Sequence, residues 1–170
     1  NKTTQGYAAI TDRLGNKGYL RFGVVPINDS YIAYPAVLTG EEHTVSLRAD
    51  GTVWTWGGNN LGQLGDGSQV LAQPAPVQVV VRGSDGKESK LTGIVKIAAG
   101  ANHTLALDKN GAVYAWGAGD FGILGDGSVQ THQLNTARGV VGPAYDPISN
   151  FGTFLGDGTD SKRIVDIAAG

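Results

Sequence analysis

The residues of this chain able to do chemistry are three histidines, a recurring Gly-Asp-Gly tripeptide and one glycine-spaced stretch; cysteine is absent. Gly117 to Gly122 spells GxGxxG after an expected strand, the spacing that seats a dinucleotide pyrophosphate on a helix N-terminus. The next residues, Ile123-Leu124-Gly125-Asp126-Gly127-Ser128, are too glycine-rich to start a stable helix, so the stretch reads as a turn. Asp66, Asp126 and Asp157 stand in GDGS, GDGS and GDGT. Calcium takes about six or more oxygens. One carboxylate per loop falls short of that, and an Asx turn explains the pattern. Asp157 with Asp160 is the one close acidic pair among these loops.

His43 and His103 recur at matched positions, where a buried histidine bonded to a neighbouring loop is expected rather than a catalytic one. His132 lies in a polar insert with no partner identifiable from sequence. No HExxH or P-loop is present, and nothing ties a serine to a base. The chain is therefore expected to be no enzyme, with no catalytic residue, no cofactor and no metal.

Trp54, Trp56 and Trp116 also fall at matched positions, with Tyr114 corresponding to Trp54, and read as packing between repeated units. Binding candidates are the loop residues Asn59, Asn60, Asp120 and Phe121, with Tyr145, Phe151 and Phe154 from a later insert. Asn1, Asn28 and Asn102 match the glycosylation acceptor pattern, at a frequency close to chance.

The elements that position these residues come from a repeat. Residues 40–68 and 100–128 are identical at 14 of 29 positions without a gap, where composition alone would give about two. A repeat of this period names an architecture of stacked units. In the second copy His103, Leu105 and Leu107 alternate with Thr104 and Ala106, the period of a strand. Asp108-Lys109-Asn110-Gly111 supplies a turn, and Val113 to Trp116 returns. Residues 94–100 precede as a further strand, and Pro76 to Val81 comes after the first copy as another. Four short strands per unit is the content of a propeller blade. The fold class is all-β, a partial β-propeller of four-stranded antiparallel blades, about two to three of them.

Residues 1–39 are expected to form an N-terminal β segment or cap, with a hairpin of Tyr7–Thr11 and Tyr19–Val25 around LGNKG. Residues 40–170 hold the repeats, 40–99 and 100–163, with the start of another at 164–170. Residues 139–159 read as a degenerate third copy, and 82–93 and 129–149 as loops. IVDIAAG at 164–170 matches IVKIAAG at 94–100 at six of seven positions. An apolar edge strand invites pairing. This one is expected to pair outside the chain, with other copies or missing blades, or with the N-terminal segment.

A net charge of −2 and a pI near 5.9 argue against a nucleic-acid partner. No run of about 18 apolar residues is present, so no helical membrane span is expected. Methionine is absent even at position 1, so a processed product or a piece of something larger is expected.

Gly40–Leu47 fits G-x-x-H-[ST]-x-x-L, Asp50-Gly51 a D-G turn, Val53–Gly57 V-[YW]-x-W-G, and Asn59–Gly65 N-x-x-G-Q-L-G. These motifs resemble regulator-of-chromosome-condensation repeats. The second copy departs from them, with Gly119 in place of Asn59 and Ile123 in place of Gln63. The resemblance implies a propeller, usually of seven blades, in a family with many roles: exchange factors, photoreceptors, ligase subunits and secreted inhibitors. A further resemblance to long secreted bacterial arrays of the repeat implies an extracellular or cell-surface location in a bacterium.

The expected function is a non-catalytic extracellular scaffold for protein interaction. The alternative is a structural subunit of an extracellular filament or surface layer, its fold completed by other chains. A guanine-nucleotide exchange factor or an enzyme ranks below both. A scaffold fits the variable loop lengths, 25 residues between Ser68 and Ile94 against 35 between Ser128 and Ile164.

Overall fold

The two copies of the repeat fold into hairpins of the same register. The structure, a computed structural model, describes residues 4–11, 17–24, 33–140 and 164–170. Strand β3 (Ala36–Thr39) is followed by β4 (His43–Leu47), β5 (Val53–Gly58) and β6 (Ala72–Gln78), which form one antiparallel sheet in that order. Next come β7 (Val80–Arg82) and β8 (Glu88–Lys90). The strands β9 (Ile94–Ala99), β10 (His103–Asp108), β11 (Val113–Ala118) and β12 (Gln133–Gly139) pair antiparallel as a second blade, and β12 also pairs in parallel with β7, giving a six-stranded sheet in the order β8-β7-β12-β11-β10-β9.

His43 opposes Gly57 and Leu47 opposes Val53; His103 opposes Gly117 and Leu107 opposes Val113. One irregularity matches as well, while a shift between Leu107 and Asp108 is confined to the second blade. The register slips between Thr55 and Gly57 in one blade and between Ala115 and Gly117 in the other. Gly57 and Gly117 take φ +104 and +103 there, and a Cβ on either would run into the carbonyl oxygen of Glu42 or Asn102. That close approach explains the Trp-Gly dipeptide of each copy.

Pro74 and Pro76 sit in β6, the outermost strand of its sheet, where a missing donor is tolerated. Among the described residues the sole helical turn is a 3-10 turn at Asp120–Gly122.

Three placements differ from the sequence reading. The first sheet begins at β3, ahead of the repeat boundary at Gly40, and the compact unit holding both blades runs Tyr31–Gly170. The stretch 82–93 is not all loop: β7 and β8 form a hairpin, and Val81 meets Ala137 of β12, which itself lies inside the other expected loop. Neither segment shows a long apolar period: β7 and β8 have three residues each, and β12 reads QLNTARG. Residues 164–170 are not a strand in this structure. Instead the Ile164 N–H donates to Gly111 O at 3.4 Å, as the Ile94 N–H donates to Gly51 O at 3.1 Å, and Asp166 pairs with Lys96. Ile164 thus takes on the second blade the place that Ile94 takes on the first.

The expected N-terminal hairpin is present as β1 (Thr4–Thr11) and β2 (Lys17–Val24), with Thr4 opposite Val24 and Thr11 opposite Lys17. It belongs to a separate compact unit, Asn1–Ser30. The expected third copy at 139–159 lies almost wholly outside the described residues.

The core forms between the blades. Val45, Leu47 and Val53 of the first join Ile94, Ile97, Ala106, Ala115 and Trp116 of the second in one buried cluster. Trp116 is fully buried, and its indole Nε1–H donates to Gln63 O of the preceding blade at 2.9 Å. Its ring lies on Gly65, where a Cβ would approach Cδ1 to 2.7 Å. His43 is buried beside it in the interface, with Nε2 3.2 Å from the Thr104 hydroxyl. Gly40 and Gly100 leave room for the His43 and His103 rings to fold back over the chain, where a Cβ would collide with Cε1. The expectation of structural, interface-packing His and Trp residues therefore describes His43 and Trp116, although the partner of His43 is a strand threonine rather than a loop. Trp56, at the matching position of the first blade, is half-buried.

Trp116→Ala should lower unfolding stability by about 3–5 kcal/mol. Trp116→Phe should cost less, about 1–3 kcal/mol, mainly by stranding the Gln63 carbonyl. Urea denaturation of the purified chain measures both, and a change for Trp116→Ala within about 0.5 kcal/mol would contradict the interface described.

Candidate functional site

The strand registers bring four loops to one end of the blades: 40–43 and 58–72 from the first, 100–103 and 118–133 from the second. Every described binding candidate lies in this group. Their roles divide sharply.

Asn59 is an internal brace. It is 5% exposed, its Nδ2 donates to Val70 O at 2.8 Å, and its Oδ1 accepts the Leu64 N–H at 3.1 Å. This corrects its reading as a binding residue: a buried amide with both ends satisfied has nothing to offer a ligand. Asn60 and Asp120 are exposed. Phe121 is 97% exposed and stands in the left-handed region at φ +57, the one non-glycine residue with positive φ among those described. Tyr145, Phe151 and Phe154 lie outside the described residues.

The loop of the first blade is held by its neighbour. Gln63 is buried, with Oε1 accepting the Leu61 N–H at 2.8 Å and Nε2 donating to Asn102 Oδ1 at 3.2 Å. Asn102 in turn donates to Glu41 Oε2 at 3.2 Å. Its side chain thus bridges two blades. Gly67 N donates to Asn135 O at 2.8 Å, and Gly62 lies against Leu134 O, where a Cβ would come to 2.8 Å.

The second blade lacks the Asn59 brace, and a residue from its insert takes that place. The His132 ring covers Gly119, whose Cβ would come within 2.6 Å of Cε1. Nδ1 faces Gln130 O at 2.7 Å and Nε2 faces Asp126 Oδ2 at 2.8 Å. A carbonyl and a carboxylate only accept, so both bonds form together when the ring is protonated and each nitrogen donates. The Gln130 carbonyl, then Asp126, raise its pKa above the ordinary value against a lowering contribution from burial. Sequence left His132 without a partner. The available signal was the loss of Asn59's counterpart at Gly119, which left a polar position to be filled from elsewhere.

His43 behaves oppositely. Burial, then the nearby His103, depress its pKa, and its buried Nδ1 has no partner. His103 is depressed by burial alone. A neutral, sequestered ring cannot exchange protons with a bound substrate. The Gly-Asp-Gly loops are turns: Asp66 Oδ1 accepts the Ser68 N–H at 3.0 Å, and Asp126 Oδ1 the Ser128 N–H at 3.1 Å. Asp157 lies outside the described residues. No group of three or more metal-ligating side chains was found among those described.

Two successive blades of matching hairpin register, locked to each other through a loop and an indole, define a β-propeller carrying a partial set of its blades. Residues 50–107 match one family model of the regulator of chromosome condensation (RCC1) repeat, and residues 94–123 match a second. Residues 50–123 therefore carry RCC1-type repeats, a partial set of those a propeller needs.

The chain is 40% identical over 97 residues to the human E3 ubiquitin-protein ligase HERC2, covering 53% of this chain and 2% of that protein. It is 38% identical over 93 residues to the Danio rerio protein RCC2 homolog, 55% of this chain and 17% of the relative. With the Arabidopsis thaliana ultraviolet-B receptor UVR8 it shares 38% over 101 residues, 59% of this chain and 21% of the receptor. The chain thus spans at most about a fifth of these relatives' length. Saccharomyces cerevisiae Prp20p, described with its binding to Gsp1p and histones, shares the fold at a TM-score of 0.53 and 20% identity, over 76% of this chain and 29% of that one. Human WBSCR16 does so at 0.54 and 16%, over 82% and 32%.

The two histidine environments predict opposite responses to pH. A folded-state pKa raised above 6.5 at His132 means its contribution to stability is full below that value and is lost as pH rises through the raised value. At His43 the folded pKa lies below 6.5, so its contribution is full above 6.5 and fades as pH falls through the depressed value. His132→Ala should therefore destabilise the chain more at about pH 5 than at about pH 8, and equal losses at both would show that the imidazolium bridge carries nothing. Separately, Phe121→Gly should raise stability by about 1 kcal/mol, because glycine adopts the left-handed conformation without a Cβ penalty. Thermal unfolding of the variant checks this, and a lower melting temperature would contradict it.

Proposed function

We propose that this chain is a non-catalytic protein-interaction scaffold that presents its loop end to a protein partner. The observation that carries this is Phe121. A large aromatic ring stands almost wholly in solvent on a backbone conformation that disfavours any side chain, at the tip of a loop the neighbouring His132 holds in place. Local strain and exposed apolar area together oppose stability, and such positions concentrate where a partner is engaged. Among the proteins it resembles, Prp20p is described with its binding to Gsp1p and histones, and the ligase is far longer than this repeat segment.

The proposal extends to location. A scaffold outside a bacterial cell is supported by the resemblance to secreted repeat arrays, and the absence of cysteine and methionine is compatible with it. The relatives named for comparison are eukaryotic. The second reading, a subunit of an assembly closed by other copies, is supported by Trp56 and Val37, which are left half-buried and exposed on the first blade, whereas the matching Trp116 and Ile97 are covered.

Affinity capture from the source organism with the wild-type chain and with Phe121→Gly, under crosslinking, tests the reading. The proteins captured by the wild type should be lost from the variant. An identical captured set would overturn the loop end as the binding surface. Sedimentation of the pure chain decides between the readings: the scaffold predicts a monomer, the subunit a concentration-dependent oligomer.

A further inference from the structure

Among the described residues, six of the nine exposed large hydrophobic side chains lie in the loops of one end: Leu61, Val70 and Leu71 on the first blade, Phe121, Ile123 and Val129 on the second. The other three, Tyr34, Val37 and Val165, lie outside these loops. Leu61 and Phe121 hold the same position in the repeat, as the residue before the turn glycines Gly62 and Gly122. Each blade therefore lifts an apolar side chain at the same place, in loops braced from within by Asn59 and His132. These loops are not apolar through want of order: their backbones are bonded into the blades at Asn59–Leu71 and Gly119–His132.

The charges of this end have one sign. Loops 40–43, 58–72, 100–103 and 118–133 contain Glu41, Glu42, Asp66, Asp120 and Asp126, and no lysine or arginine. Glu41, Glu42 and Asp120 are exposed. Within 33–140, the cationic side chains all lie elsewhere: Arg48 and Lys109 in the opposite turns, Arg82, Lys87 and Lys90 on the β7–β8 hairpin, and Lys96 and Arg138 on β9 and β12. Of the three histidines in these loops, His43 and His103 are buried and shifted toward the neutral form, and His132 faces Asp126 directly, with Arg138 also near enough to oppose its protonation.

We propose that the loop end docks a basic protein segment, one in which lysines or arginines flank apolar anchors. The apolar side chains would supply the buried contact and Phe121 its central anchor. The exposed carboxylates would set the sign of the partner, attracting cationic chains and repelling acidic ones. A nucleic acid or an anionic lipid surface has the wrong charge for this end. The proposal rests on the interaction-scaffold reading and specifies the partner that reading leaves open.

The test uses three fluorescent synthetic peptides against the full chain in polarisation titrations. One alternates arginine with leucine and phenylalanine, one replaces arginine by glutamate, and one replaces the apolar residues by serine. The first should bind, weakening steeply with salt, and the other two should bind at least about tenfold more weakly. Phe121→Gly should weaken the first peptide by about tenfold. Glu42→Gln with Asp120→Asn should weaken it at low salt and flatten its salt dependence. Thermal unfolding confirms that both variants stay folded.

Equal binding of the acidic peptide, binding indifferent to Phe121→Gly, or no binding by any peptide at millimolar concentration would each overturn the proposal. Its failure is separable from that of the scaffold reading. If crosslinking still captures proteins through Phe121 and the basic peptide does not compete, the scaffold stands and the basic partner falls. If capture is also indifferent to Phe121, both fall.

Discussion

The described propeller unit depends on one contact, the seating of the Trp116 indole against Gly65 with its N–H on the Gln63 carbonyl. A single blade cannot bury both of its faces, so two blades must share an interface to form a core. The indole provides that interface with area, and its hydrogen bond gives it a fixed registry. Both ends of the contact are conditional on glycine. Gly65 must be bare for the ring to approach, and Gly117 must take φ +103 for the strand carrying Trp116 to bulge inward at that point. The side chain, the loop beneath it and the bulge above it are therefore one constraint distributed over two copies of a repeat.

The loops inherit their order from this interface. Gln63 offers its backbone to the tryptophan and its side chain to Asn102, so the contact that builds the core also ties down the loop between β5 and β6. The corresponding loop of the second blade meets the same demand with different residues. Where the first uses an amide inside the loop, the second uses a histidine from the insert, facing Asp126 and Gln130. An amide does not titrate in the physiological range and an imidazole does, so the two blades hold equivalent loops with unequal sensitivity to pH. Substitution within a repeat has here kept the geometry and changed the chemistry that maintains it.

The same braces separate the residues that hold the loops from those the loops hold out. Asn59, Gln63, Asn102 and His132 spend their polar atoms inside the molecule. Leu61, Asp120 and Phe121 are left with few or none of their atoms engaged. A surface that is rigid, apolar at its crests and anionic between them is the outcome, and rigidity reduces the conformational entropy lost when such a surface is covered.

Sequence alone determined the repeated architecture. Fourteen shared positions, alternating residues and matched turn glycines fixed four strands per blade and the all-β class, because each of these signals acts locally on φ, ψ and on which face a side chain takes. It also pointed to packing roles for His43, His103 and Trp116, which recur and are buried, whereas the recurring Trp56 is half-buried. The β7–β8 hairpin, the parallel pairing of β12 with β7 and the role of His132 were decided only in the folded chain. Their partners lie in other strands or across an insert, and short strands carry no period of their own. The assignment of Asn59 to the surface failed for the same reason: sequence shows that an asparagine is able to bond a ligand, but only the closed loop shows that Val70 and Leu64 already occupy it.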